Sequence, residues 1–358
     1  MSTATGVENG FWRGKRVFIT GHTGFKGSWL SLYLQFLGAD VKGYALNPVG
    51  KNCLFQVADV EAGMASEIGD ILDGEQLSIS MRQFEPDVLI HMAAQPLVRL
   101  SYREPALTYA TNVMGTVNVL EAARNCPKLK AIVNVTTDKC YENREWPWPY
   151  RETEAMGGHD PYSSSKGCAE LVNSAYQRSF FNTEDSAWLA SVRAGNVIGG
   201  GDAAEDRLIP DILRSFKANE ALIVRYPDAI RPWQHVLEPL TGYLVLAQAL
   251  YEKGSEFAEG WNFGPNAESV KPVRWIVDFM AENWGEDASW QHDGSEQLHE
   301  AGLLKLDISK ATSRLDWEPK LTLGEALDRI VEWEKAFEHG QNMRHVTQEQ
   351  IKKYWSHA

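Results

Sequence analysis

A chain of 358 residues, 44% apolar and 23% charged, has the make-up of a folded globular protein with two domains, or one large domain carrying a lobe. Its formal net charge of −13 excludes a general nucleic-acid or membrane-surface binder, which would carry basic excess, but permits an anionic small substrate held by a few arginines. The four cysteines, at 53, 126, 140 and 168, form no C-x-x-C pair and have no histidine at zinc spacing. They read as reduced thiols and not as metal ligands.

The opening MSTATGVENGFWRGK is polar and has no apolar core of a signal peptide, and no later run is long enough to span a membrane, so the expected location is the cytoplasm. Residues 1–15 read as a loose arm. Arg16 to Thr20 is a β-branched run, followed by glycines at 21, 24 and 27. From Phe25 to Leu37, the residues Trp29, Leu30, Tyr33, Leu34 and Leu37 recur at helical spacing, and Gly38 closes that helix. Val41 to Leu46 and Val88 to Ala93 are strands. Between them, one helix is expected near Gln76–Phe84 and a strand end near Ser66–Ile68. A helix over 112–124, a strand over 131–137, a helix over 162–180 and a strand over 187–193 follow.

Strands alternating with helices predict an α/β fold: a Rossmann-like, doubly wound parallel sheet, with a smaller C-terminal substrate-binding lobe. After Gly195, GNVIGGGD reads as a flexible turn-rich segment. Helices at 206–217, 236–251, 271–284 and 323–338 and a strand at 221–225 are expected beyond it. The expected division gives residues 1–195 and about 236–265 to the cofactor domain. About 196–235 and 266–358 go to the lobe.

Two motifs carry chemistry. Gly21, Gly24 and Gly27 follow a strand and open a helix. There a tight turn, a close backbone approach and free helix N–H groups suit a pyrophosphate, although glycines also mark ordinary turns. Tyr162 and Lys166 lie four residues apart on one helix face, behind Asp160 as N-cap and Pro161 at the first helical position. A cationic Lys166 beside the phenol would lower its pKa and make Tyr162 a base at neutral pH. Thr137, Asp138 and Lys139 stand where the preceding strand ends, the place at which ligands collect in open α/β sheets. Cys140 has no evident activating base in sequence and reads as structural.

The G-x-x-G-x-x-G spacing resembles that of the extended short-chain dehydrogenase/reductase superfamily. Gly69-Asp70-Ile71, His91-Met-Ala-Ala-Gln95, Thr111-Asn112, Tyr162-x-x-x-Lys166 and Arg193-x-Gly-Asn196 agree with it across nearly the whole chain. The resemblance implies an NAD site formed by Gly21, His22, Thr23, Gly24, Phe25, Lys26, Gly27, Asp70, Ile71, Ala93, Ala94, Gln95, Asn112, Tyr162 and Lys166. In it, Asp70 would hold the adenine amine. The second strand ends at Ala45-Leu46-Asn47 without the acid that grips the ribose hydroxyls, so NAD is favoured over NADP only by a neutral group.

Thr137-Asp138-Lys139 resembles the Thr-Asp-Glu trio of the nucleotide-sugar 4,6-dehydratases, with lysine in the glutamate position. With GHTGFKG and Arg231-Pro-Trp-Gln-His235, it is similar to the branch of those enzymes acting on CDP-D-glucose, which supplies 3,6-dideoxysugars of bacterial surface polysaccharides. By that resemblance Tyr162 takes the C4 hydroxyl proton and Thr137 holds the hydroxyl. Asp138 protonates the leaving C6 hydroxyl. Lys139 replaces the C5 base and would serve only when neutral.

Among the arginines at 193, 207, 225 and 231, Arg231 is the first candidate for the substrate diphosphate, with Asn196 and Arg207 next and Leu208 flanking the base. The Arg144–Tyr150 loop is a lid or an anchor. Other nucleotide-sugar dehydratases, 4-epimerases and a non-catalytic NAD-binding regulator are the competing readings. A homodimer built through the helices 112–124 and 162–180, where Val172, Ala175 and Tyr176 extend beyond one buried stripe, is expected, with a dimer of dimers left open.

Overall fold

Seven parallel strands organise the computed structural model, which describes residues 9–50, 52–285, 288–294 and 302–356. In chain order the strands of the protein are β1 (Arg16–Thr20), β2 (Asp40–Ala45), β3 (Ala65–Ile68), β4 (Val88–His91), β5 (Ala131–Val135), β6 (Trp188–Ala194), β7 (Asn196–Ile198), β8 (Leu222–Val224), β9 (Ile230–His235), β10 (Gly260–Phe263), β11 (Val270–Pro272) and β12 (Trp290–His292). The large sheet runs β10-β6-β5-β4-β1-β2-β3. Its order reverses between β1 and β4, and that reversal opens the crevice at the carboxyl ends in which such sheets bind ligands.

The inner strands are apolar on both faces because helices cover both. Val17, Ile19, Ile90, Val133 and Val192 face one core, with the helices Phe25–Phe36 and Leu237–Lys253. Phe18, Leu89, Ile132 and Leu189 alternate with them and face the other, with Gly74–Phe84 and Gly115–Arg124. Side chains of successive strand residues point oppositely, so one short apolar run feeds two cores.

Beyond β6 the chain builds smaller sheets, β11-β9-β7 and β12-β8, around a third core that includes Ile212, Phe216, Trp233, Val277, Leu327 and Ile330. GNVIGGGD is not a flexible segment. Asn196–Ile198 pairs with β9, and a Cβ on Gly200 would lie 2.2 Å from Cγ of Trp333. The opening arm is not loose over its described part either: Asn9–Trp12 forms a helical turn and Trp12 is fully buried. Its first eight residues lie outside the described ones.

Several elements go beyond the expected set. Leu54–Val57, Val98–Arg103, Pro105–Tyr109, Ser309–Leu315 and Met343–Ser356 are helical, and Ala110–Met114 is a π-helical turn. The last helix packs on Phe25–Phe36, so the end of the chain returns to the first core. Among the described residues no helix is long and apolar enough to cross a membrane.

Candidate active site

The glycine loop is held from below. Gly21 has φ 81, and a Cβ there would lie 2.7 Å from the Ala93 nitrogen, so the β1 and β4 ends touch backbone to backbone. A Cβ on Gly27 would fall 2.1 Å from the Gly21 carbonyl oxygen. Gly24 is exposed, caps the Phe25–Phe36 helix and supplies no side-chain acceptor to its first N–H groups. An uncapped, open helix start of this kind fits a dinucleotide pyrophosphate.

Several residues named for the cofactor support this cradle through their side chains. The His22 ring is buried against Gly43, bonds Ser66 Oγ at 2.8 Å, and is pushed down by burial to a pKa of about 4. It is a packing residue. Thr23 donates to the Leu46 carbonyl at 2.8 Å. Asp70 Oδ1 accepts from Leu72 N at 2.9 Å, and Ile71 packs on Gly115. Asn112, in the π-helical turn, accepts from Gln95 N at 2.8 Å and donates to the Gln95 carbonyl at 3.1 Å and to Ser165 Oγ at 2.8 Å. Gln95 is occupied likewise, with Leu97 and Thr108. These two side chains tie the Ala93-Ala94 loop to the helix Pro161–Phe180.

That helix starts as its sequence dictates, with Pro161 at its head and Asp160 accepting from Ser163 N at 2.9 Å. It presents Tyr162 and Lys166 to the end of β5. Lys166 Nζ donates to the Val135 carbonyl at 3.1 Å. Two residues on, the Thr137 hydroxyl donates to Asp138 Oδ1 at 3.0 Å. Asp138 is buried, and its Oδ2 has no hydrogen-bond partner among the described residues. Burial raises its carboxyl above the usual range, against the pull of Lys139, Thr137 and Arg231. A buried acid with one oxygen unspent is suited to give a proton to a group placed beside it.

The expected tuning of the phenol is not met by the protein alone. Burial pushes Tyr162 up to about 12, outweighing the nearby Thr137 hydroxyl and the Arg207 charge, while Lys166 engages a backbone carbonyl. Burial also brings Lys166 down to about 8. Lys26, named from the glycine loop, reaches the same centre. Desolvation first, then Lys166 and Arg207, push it down to about 7, while Asp138 opposes them.

The arginines divide. Arg207 pairs with Asp202 at 2.9 Å, ahead of the helix that starts at Leu208, and its charge is felt at Tyr162. Arg231 is buried, donates to the Ile230 and Gly302 carbonyls, and its charge is felt at Asp138. Asn196 opens β7 opposite Trp233. Arg225 lies 3.6 Å from Asp206. Arg193 is not available to a diphosphate. It makes a buried bidentate pair with Glu170, both bonds 2.9 Å, and donates to Tyr141 Oη at 2.7 Å. Glu170 escaped the motif reading, yet Tyr162, Lys166 and Glu170 stand at i, i+4 and i+8, one stripe of the helix.

The Arg144–Tyr150 loop is anchored. Trp146 stacks on Tyr150, Tyr150 on Tyr141, and Tyr150 N donates to the Lys305 carbonyl at 2.9 Å. The Cys140 thiol is buried and held well above its ordinary pKa by desolvation, as befits a packing residue.

Residues 18–330 match the model of the family described as GDP-mannose 4,6 dehydratase. The chain is 58% identical to a CDP-glucose 4,6-dehydratase of Salmonella typhimurium, over 98% of this chain and 99% of that one. Among solved structures it is similar to the Thermotoga maritima UDP-glucose 4-epimerase with UDP-glucose, with a TM-score of 0.78 and 23% identity, covering 90% of this chain and 99% of that one. A Bacillus anthracis dTDP-glucose 4,6-dehydratase in complex with NAD gives a TM-score of 0.74 at 22% identity, over 92% and 100%. At such identities the two structures speak for the fold.

Proposed function

The chain belongs to the GDP-mannose 4,6 dehydratase family, and from that premise we propose that it converts CDP-D-glucose to CDP-4-dehydro-6-deoxy-D-glucose with NAD as a recycled cofactor. The observation that carries the reading is the acid at the end of β5. Asp138 is buried, its carboxyl raised above the usual range by desolvation, with one oxygen unspent, beside Thr137 and Tyr162. An alcohol oxidation or a 4-epimerisation needs no such acid, whereas loss of the C6 hydroxyl as water does. The near-complete coverage at 58% identity supports CDP-glucose as the sugar nucleotide.

Bound NAD would accept hydride from C4, lend positive charge beside Tyr162 and return the hydride to C6. Gly21–Gly27 would seat its pyrophosphate, Asp70 and Ile71 its adenine end, and Tyr162, Lys166 and the Ala93-Ala94 backbone its nicotinamide end. Tyr162 takes the C4 hydroxyl proton, guided by Thr137. Lys139, next to Asp138, would serve as the base for C5–H when neutral, and Asp138 would deliver a proton to the departing C6 oxygen. Arg207 and Arg231, whose charges are felt at Tyr162 and Asp138, would hold the diphosphate, with Asn196 and Leu208 beside them. Residues 1–195 with about 236–265 form the cofactor domain in this reading, and the intervening and C-terminal segments supply the lobe.

Incubation with a panel of nucleotide sugars tests the proposal. CDP-glucose is expected to give the base-induced absorbance of a 4-keto-6-deoxy sugar without net NADH. Turnover of another sugar nucleotide alone, net NADH, or binding without turnover would each overturn it.

The same reading places the enzyme in the cytoplasm as a homodimer. Leu171 and Phe180 on the helix Pro161–Phe180, and Leu107, Tyr109 and Met114 in the turns leading into Gly115–Arg124, are exposed. Of the residues expected there, Val172 and Tyr176 are half-buried and pack in part on the protein's own core, and Ala175 is exposed.

A further inference from the structure

Glu170 lies one turn beyond Lys166 and two beyond Tyr162, its side chain 5% exposed. A buried carboxylate is costly unless its lone pairs are filled. Here they are filled from two strands. Thr136 donates from the end of β5, and Ser191 Oγ at 2.6 Å and Arg193 Nε and Nη2, both at 2.9 Å, donate from β6. Thr136 stands between Val135, whose carbonyl receives Lys166, and Thr137-Asp138. One carboxylate therefore grips both the helix that carries Tyr162 and Lys166 and the strand end that carries Thr137 and Asp138.

We propose that Glu170, braced by Arg193, is a positioning residue that sets the alignment and the charge of Lys166 against the end of β5. The inference rests on the reading of Tyr162 and Lys166 as the working pair. The groups facing Lys166 support it. Cys140 follows β5 with its thiol pushed well up, His91 on β4 is driven by burial to about 3, and Lys26 is a further cation. Glu170 is thus the carboxylate of that set, and its charge opposes the burial that drives Lys166 toward neutrality. Arg193 extends the brace outward. It donates to Tyr141 Oη at 2.7 Å, and Tyr141 donates to Asn262 Oδ1 at 2.7 Å on β10, so the brace also fixes the turn that carries Lys139.

Glu170→Gln keeps the shape and removes the charge. The expected result is a fall in kcat of about tenfold or more with KM for the sugar nucleotide within about twofold, since Glu170 is spent on Thr136, Ser191 and Arg193. The basic limb of the pH profile should move about one unit lower, because Lys166 then loses its proton at lower pH. NAD binding without sugar, followed by tryptophan fluorescence, should weaken at the same lower pH. Glu170→Asp should restore the limb.

A folded Glu170→Gln enzyme with the wild-type limb and kcat would overturn the proposal. Should Glu170→Gln fail to fold with Arg193 unpaired, Glu170→Gln/Arg193→Met leaves no lone buried charge. A wild-type limb in that double variant would overturn it equally. Tyr162→Phe is the separate control: full turnover there would defeat the site reading itself, whatever Glu170 does.

Discussion

Asp138 and Lys139 are neighbours with different surroundings. Asp138 is buried with its carboxyl raised, and Lys139 is half-buried beside it. The proposed roles separate under substitution. Asp138→Asn cannot deliver an acidic proton, so kcat should fall about 100-fold while C4 oxidation survives. NADH absorbance should then build up in a single turnover. Lys139→Ala should instead abolish incorporation of solvent deuterium at C5. Normal incorporation would remove Lys139 from the role of base. Tyr162 was readable from its spacing to Lys166, but its titration was not, because burial is a property of everything packed around the phenol.

Elements with strong periodicity were legible, and those stabilised by distant partners were not. The strands RVFIT and AIVNV and the helices 162–180 and 323–338 follow from apolar patterning and caps. Thr322 and Glu325 even complete a reciprocal capping box. The β7 strand was hidden by the glycines on either side of it, which signal turns locally. Gly200 is required because the Trp333 ring lies against it. Gly200→Ala should lower stability by about 2 kcal/mol, since an added methyl meets an indole and not a flexible chain end. Urea denaturation reads this directly, and an unchanged midpoint would contradict the packing described.

At the scale of the molecule, the chain's end closes on its beginning. Glu238 accepts from Lys320 N at 3.0 Å, Leu321 N at 2.7 Å and Tyr354 Oη at 2.6 Å, joining the helix Leu237–Lys253 to the terminal helix. Burial pushes its carboxyl up to about 7. The folded protein then keeps a proton that the unfolded chain has already released, so this group's contribution to stability falls as pH rises to about 7. Glu238→Gln should therefore gain in Tm relative to the parent between about pH 5 and pH 8. A difference independent of pH would show that the carboxyl titrates normally. Leu171, exposed on the helix Pro161–Phe180, tests assembly. Leu171→Glu should convert a dimer to a monomer by light scattering, and a dimer that persists would move the interface elsewhere.

The sequence by itself determined the alternating fold, the glycine loop and the Tyr162/Lys166 helix, because each rests on contacts a few residues apart. Its family resemblance marked Asp138 and Lys139 as the residues that narrow the reaction. Tertiary structure decided what those groups are worth. It removed Arg193 from the substrate set by pairing it with Glu170, turned His22 inward against Gly43, brought Lys26 toward Asp138 and left an Asp138 oxygen unspent. Each of these depends on burial and on partners far away in the chain, and local spacing carries neither.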